Sequence, residues 1–151
     1  MRSAPQNHPA TQSPLTILSK ITGQYEEILS EKGKKLHLQS GARRVLFCLL
    51  GQDNVSQLTI VRATHLKAPT ISLIVQKMEK DGLVTRKTDE IDMRLTRVSL
   101  TPEGRKAAEN LKVTVDSVLT AAMKDFSQKD SEQLAALLSR ISSNLEEYTE
   151  R

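Results

Sequence analysis

The sequence predicts a mainly α chain with one small β-hairpin, and three features of residues 56–104 carry that expectation. Two short amphipathic helices are joined by a turn of three residues. The hydrophobic period changes from helical to strand-like immediately after Asp81-Gly82. Two β-leaning runs then follow, separated by a polar loop. A helix, a tight turn, a second helix and a hairpin make a helix-turn-helix with a wing, and the remaining chain reads as amphipathic helices on either side of it.

Residues 1–13 are rich in Pro, Ser, Asn and Gln with almost no apolar content, so a disordered tail is expected there. Arg2 in such a tail either brushes an anionic partner or sits on a merely solvated end. A helix begins at Pro14, with Leu15, Leu18, Ile21, Tyr25, Ile28 and Leu29 on one side, and Gly33 is placed to end it. A second helix starts near Ser40. Its run Val45–Leu50 is apolar on nearly every side, which puts it in the middle of the domain, with Gly51 expected as its C-cap. Asn54-Val55 is expected to add a short strand to the wing.

Ser56 is a suitable N-cap for a helix carrying Leu58, Ile60 and Val61 and ending near Thr64. His65-Leu66-Lys67 is long enough only for a turn between helices. Pro69 falls in the first turn of the next helix, where its missing N–H would be unpaired in any case. That helix places Ile71, Ile74, Val75 and Met78 on one stripe, and Gly82 stops it. The wing strands are Leu83–Lys87 and Arg97–Leu100. Thr101-Pro102 then opens a long helix with Ala108, Leu111, Val115, Val118, Ala122 and Met123 at close to heptad spacing. Ser127 and Asp130 are placed to cap a last helix bearing Leu134, Leu137, Leu138, Ile141, Leu145 and Tyr148.

The bulk properties narrow the function classes. A chain of 151 residues is one domain's worth and large enough for its own core. The net charge of +4 suits an anionic partner without requiring one. One cysteine excludes an intramolecular disulfide framework and fits a reducing compartment. No apolar run approaches the roughly 18 residues of a membrane span, and the N-terminus lacks the apolar core of a signal peptide, so a cytoplasmic protein without a membrane partner is expected. His8, His37 and His65 are scattered without ligand spacing, which predicts no metal site. No phosphate loop, nucleophile elbow or paired catalytic carboxylates can be found, so neither an enzyme nor a cofactor is expected.

The segment GLVTRKTDEIDMRLTRVSLTPEG resembles the wing signature of the MarR family of winged-helix regulators. The matching positions are Gly82-Leu83-Val84, Arg86, Asp92, Arg94, Val98, Leu100-Thr101 and Gly104. The family commonly has Asp-Arg-Arg where this chain has Asp92-Met93-Arg94. The resemblance implies a homodimer in which N- and C-terminal helices interlock, so that two recognition helices meet a pseudo-palindrome on double-stranded DNA. The implied layout is a tail over 1–13, an N-terminal dimerisation helix over 14–38, a winged helix-turn-helix domain over 39–101 and C-terminal dimerisation helices over 102–151. Packing within one subunit is the alternative for any single helix. The resemblance also implies a small-molecule effector, often a phenolic or lipophilic anion, held between the dimerisation helices and the winged domain. Here Tyr25, His37, Leu38, Arg43 and Phe47 would line that site. Some members sense oxidants through a cysteine near the start of the first helix. Cys48 does not match it and lies in an apolar run that raises a thiol pKa.

The recognition helix supplies the expected DNA-reading residues. Thr70, Leu73 and Lys77 face away from the buried stripe, with Pro69, Ser72 and Gln76 beside them. Thr70, Ser72 and Gln76 suit base edges or phosphates, and Lys67 and Lys77 suit phosphates. Leu73 either packs on a thymine methyl or covers a gap against the preceding helix. In the wing, Asp89, Glu90 and Asp92 crowd a loop that should approach phosphates. Arg94 entering a narrow minor groove, oriented by Asp92, would resolve that conflict, and the resemblance implies those same roles. A surface ion pair of little consequence is the alternative. Arg86 and Lys87 are expected to touch phosphate. The reading is a ligand-responsive repressor that binds an inverted repeat as a homodimer. Its rival is a winged-helix module that binds another protein, which the acidic loop and Leu73 favour.

Overall fold

The computed structural model describes residues 13–33 and 38–149. Residues 1–12 of the tail expected over 1–13, and His37, lie outside them. The chain divides into two compact units, residues 1–115 and 116–151.

The first unit holds helices α1 (Pro14–Gly33), α2 (Ser40–Gly51), α3 (Gln57–Thr64) and α4 (Ala68–Lys80). It also holds strands β1 (Val55–Ser56), β2 (Val84–Thr88) and β3 (Thr96–Leu100), and the start of α5 (Pro102–Ala122). The strands form one antiparallel sheet in the order β1-β3-β2, with Val55 opposite Val98 and Val84 opposite Leu100. The mainly α chain with a small wing is therefore what the sequence predicts, with β1 supplying a third strand. Val45, Leu46 and Leu49 of α2, Ile60 of α3, Ile71, Val75 and Met78 of α4, and Val55, Val84 and Val98 of the sheet make the core. Val98, the buried residue of β3, packs with Val55 and Val84 on the core side of the short sheet.

Local chemistry sets the element boundaries. Ser56 Oγ accepts from Thr59 N at 3.2 Å and caps α3. His65 ends that helix in the left-handed region (φ 55°), and α4 begins three residues later with Pro69 in its first turn. Gly82 takes φ 74° after Asp81, and Leu83 N reaches back to Met78 O at 2.9 Å, closing the end of α4. Thr101 Oγ1 accepts from Gly104 N at 2.9 Å to cap α5 and donates to Gly82 O at 2.6 Å, tying the base of the wing to the helix that follows. Gly104 packs so closely that a Cβ there would lie 1.8 Å from Leu83 O.

Two local expectations, Gly51 as a C-cap and Asn54-Val55 as the strand, need correction. Gly51 is the last residue of α2, and Gln52 in extended conformation is its cap. The αL turn falls instead on Asn54 (φ 54°), just before β1. Leu58 is 48% exposed, because α3 buries its opposite side through Ile60 and Thr64.

The second unit holds the end of α5 and α6 (Gln128–Thr149). Ser127 and Asp130 cap α6 reciprocally: Ser127 N donates to Asp130 Oδ2 at 2.9 Å, and Asp130 N donates to Ser127 Oγ at 3.1 Å. The Ser127 hydroxyl, donating to Asp130 Oδ2 at 2.6 Å, and Ser127 N together hold the Asp130 carboxyl below its usual pKa. No described residue of α6 is buried.

Candidate nucleic-acid interface

Helix α4 is two-faced. Ile71, Val75 and Met78 are buried, whereas Lys67, Pro69, Thr70, Ser72, Leu73, Gln76 and Lys77 are all exposed. Leu73 is 68% exposed, so most of its surface covers nothing within the subunit. Ile74 is only half-buried and lines, with Leu38, Ala42, Leu73 and Met78, a surface cavity of about 180 Å³. Lys77 Nζ meets Asp81 Oδ2 at 2.9 Å one turn on, an exposed pair of little energetic weight.

The loop joining β2 to β3 is built on Asp89. Its carboxylate is turned inward and buried, with Oδ1 accepting from the backbone N–H groups of Ile91 and Asp92, both at 2.8 Å. Oδ2 takes a hydrogen bond from Arg97 Nε, and Asp89 N donates to Leu95 O at 2.9 Å. The N–H of Asp92, the Arg97 guanidinium and the N–H of Ile91 all favour the ionised form, and they hold the carboxyl down to a pKa of about 2. Asp89 therefore organises the loop instead of facing a partner.

Asp92 and Arg94 stand at the tip. Arg94 Nε donates to Asp92 Oδ1 at 3.0 Å and its Nη2 to Oδ2 at 3.3 Å, a fork on both carboxylate oxygens. Arg94 N also donates to Asp92 Oδ1 at 3.1 Å. The arginine lowers the Asp92 pKa, and its own side chain remains 90% exposed. The two hydrophobic residues of the tip, Ile91 and Met93, are 96% and 80% exposed.

Ion pairs that sequence reasoning missed fix the wing to the core. Arg86 gives Nε and Nη2 to Glu79 Oε2 at 2.8 and 2.6 Å, joining β2 to the end of α4, and this contact lowers the Glu79 pKa. Its guanidinium, expected at a phosphate, is thus turned to a carboxylate within the subunit, while Lys87 beside it is exposed. Arg97 adds a bond from Nη1 to Asn54 O at 2.8 Å. Asp53 accepts from Asn54 N at 2.8 Å and Leu100 N at 2.9 Å through Oδ1, and from Arg105 Nη2 at 2.7 Å through Oδ2. The carboxylate thus pins the entrance of β1 to the exit of β3.

Comparison with known proteins agrees with this architecture. Residues 38–96 match the model of the MarR family, a span that runs from two residues before α2 to the first residue of β3. Residues 38–96 thus carry a MarR-type domain. It is 28% identical over 137 residues to the HTH-type transcriptional repressor IacR of Pseudomonas putida, covering 88% of this chain and 80% of that one. Its fold is similar to the S. aureus MepR–DNA complex, with a TM-score of 0.81 at 22% identity, covering 88% of this chain and 98% of that chain. It is also similar to Bordetella bronchiseptica BpsR, from a structure concerned with regulation of DNA binding by 6-hydroxynicotinic acid. There the TM-score is 0.78 at 20% identity, covering 91% and 98% of the two chains.

The residues expected at a MarR-type effector site are only partly brought together. Arg43 is buried, giving Nη2 to Glu26 Oε2 at 2.5 Å and Nη1 to Leu38 O at 3.1 Å, so α1 and α2 are joined through it. Partial burial raises the Tyr25 pKa, as does the Glu26 charge, against the opposing effect of Arg43. Phe47 and Leu38 are half-buried, and Leu38 faces the cavity beside α4. Burial also raises the pKa of the half-buried Cys48. Among the described residues no group of acidic, His and Cys side chains is placed to hold a metal, and no helix is long and apolar enough to cross a membrane.

Proposed function

We propose that this chain is a DNA-binding transcriptional repressor that occupies an inverted repeat as a homodimer and releases it when a small molecule binds. The observation that carries the reading is the exposed row Thr70, Ser72, Leu73, Gln76 and Lys77 on α4, opposite that helix's buried stripe, together with the held but exposed guanidinium of Arg94. An α-helix fits the major groove, where hydroxyl and amide side chains pair with base edges and an outward Leu meets thymine methyls. Lys67, Lys77 and Lys87 neutralise phosphates, and Arg94 enters the minor groove, where negative potential is concentrated. The repressor named for the Pseudomonas putida relative and the DNA bound to MepR support the assignment.

Dimerisation rests on apolar surface that the subunit leaves open. Leu15, Ile17, Ile21 and Ile28 of α1 are 40–53% exposed, and Leu137, Leu138, Leu145 and Tyr148 of α6 are exposed as well. Stripes of this kind on helices need cover. In this reading residues 14–38 and 102–151 associate, and residues 39–101 contact DNA. An effector would act at Tyr25, His37, Leu38, Arg43 and Phe47, because the Glu26–Arg43 bond there couples α1 to α2. The effect described for BpsR supports a ligand of aromatic-acid type.

The protein-interaction alternative loses the acidic loop as its argument. Asp89 is turned inward and Asp92 is paired, which leaves Glu90 as the remaining acid of that loop. The test is titration of a duplex from the chain's own promoter region against a scrambled duplex, in a salt series and with a panel of aromatic acids. Sequence preference, a steep salt dependence and release by a panel member support the proposal. Equal, weak binding to both duplexes overturns it. Release that survives alanine substitution at Tyr25 and Phe47 overturns the effector site.

A further inference from the structure

We infer that the wing carries an apolar clamp for the minor groove, made by Ile91 and Met93 on either side of the Asp92–Arg94 pair. The inference rests on the DNA-binding reading above and goes beyond it, since that reading uses only the charge of Arg94. Ile91 is 96% exposed and Met93 80%, the highest exposures among the large hydrophobic residues described. Loop tips ordinarily carry small or polar residues. Here two large apolar side chains flank a cation, on a loop with little freedom to fold them away.

That lack of freedom comes from named bonds. The N–H of Ile91 and the N–H of Asp92 are both held by the buried Asp89 carboxylate, Leu95 N donates to Asp92 O at 2.9 Å, and Arg94 N is held by Asp92 Oδ1. Every backbone N–H named here is fixed from within the loop, so the tip is presented pre-formed and the cost of ordering it on binding is small.

The occupant that fits is duplex DNA approached from the minor groove. An exposed guanidinium between two hydrophobic side chains matches a groove whose floor is electronegative and whose walls are deoxyribose carbons. Of the three loop acids that would repel phosphates, Asp89 and Asp92 are engaged by Arg97 and Arg94 respectively, which leaves Glu90. In this arrangement Arg94 reads the potential of the groove, while Met93 and Ile91 pack on its sugar walls. Part of the wing's affinity is then insensitive to salt, because apolar contact releases no counterions.

The experiment measures affinity for promoter duplex over a salt series for wild type, Ile91→Ser/Met93→Ser, Met93→Leu and Arg94→Ala. All three side chains changed are exposed, and thermal unfolding of each variant checks that the fold is kept. The double serine variant is expected to bind about tenfold more weakly with the salt slope unchanged, as partial burial of two apolar side chains implies. Met93→Leu should keep wild-type affinity. Arg94→Ala should instead flatten the slope by about one. In the wild type, replacing A·T by I·C at the wing contact should leave binding intact, whereas G·C, whose amino group fills the groove floor, should weaken it. If wild type binds the promoter tightly and the double serine variant binds equally well at every salt concentration, the clamp is wrong and the regulator reading stands. If wild type shows no sequence preference, both fall.

Discussion

Asp92 holds Arg94 by both carboxylate oxygens, at 3.0 and 3.3 Å, yet leaves the arginine side chain 90% exposed. An exposed ion pair of this kind adds little to stability, and in the proposed reading it aims a cation outward from the wing. Asp92→Asn separates aiming from simple charge. Removing a carboxylate near phosphates should strengthen DNA binding if Asp92 acts only through its charge. The orienting role predicts the opposite, a loss of about three- to tenfold in affinity with unchanged thermal stability. Anisotropy titrations of the two proteins decide between these signs.

The second prediction concerns acid. Asp89 has a folded-state pKa of about 2, against an ordinary aspartate value of 3.8. A depressed carboxyl contributes stability that is complete above its unfolded value and disappears as pH falls toward the folded one. The contribution of Asp89 should therefore be lost between about pH 4 and pH 2. Urea unfolding of wild type across that window should show declining stability, and Asp89→Asn should show a shallower decline. Parallel pH profiles for the two proteins would contradict the role given to this carboxylate.

Gly104 tests the packing of the wing against α5. A Cβ at this position would sit 1.8 Å from Leu83 O, a backbone atom that is also the acceptor for Thr101 N. Gly104→Ala must move either β2 or the helix start, and should cost about 1–3 kcal/mol or more in chemical denaturation. A wild-type denaturation midpoint would show that the junction is looser than described.

Much of this arrangement is legible in the sequence, for a physical reason. Ser56, Pro69, Gly82 and Thr101 each set an element boundary through bonds or dihedrals spanning a few residues, so their signals are local. The exposed row on α4 follows in the same way from one helical period. Contacts between distant residues leave no such trace. Asp53 meets Arg105 from 52 positions away and Arg97 reaches Asn54 from 43, and nothing near either residue announces its partner. Arg86 is instructive because its sequence neighbourhood suggested phosphate, while the turn of the chain after Gly82 brings it onto Glu79. Gly51 was misleading in the opposite sense, since a C-terminal glycine does not close a helix unless the following backbone takes αL, and Gln52 is extended.

The distinction between Arg86 and Arg94 is itself testable. Arg86→Ala breaks a half-exposed pair within the subunit and should lower stability by up to about 1 kcal/mol, leaving the salt slope of DNA binding where it was. A slope reduced as much as by removal of Arg94 would return Arg86 to the interface.

The exposed apolar residues of α1 predict self-association. Sedimentation of wild type at micromolar concentration should give a dimer, and Leu15→Asp with Ile21→Asp should shift the population to monomer. A wild-type protein that sediments as a monomer throughout would remove the two-fold symmetry on which the inverted repeat depends.

The central claim, that this chain reads DNA with α4 and the wing, is tested most directly by fluorescence anisotropy of wild type and Arg94→Ala on promoter duplex at about 50 and 200 mM salt. The account predicts tight, sequence-preferring binding by wild type that falls steeply with salt, and a marked weakening with a flatter salt dependence for Arg94→Ala. Weak binding that is indifferent to sequence, to salt and to Arg94 would contradict it.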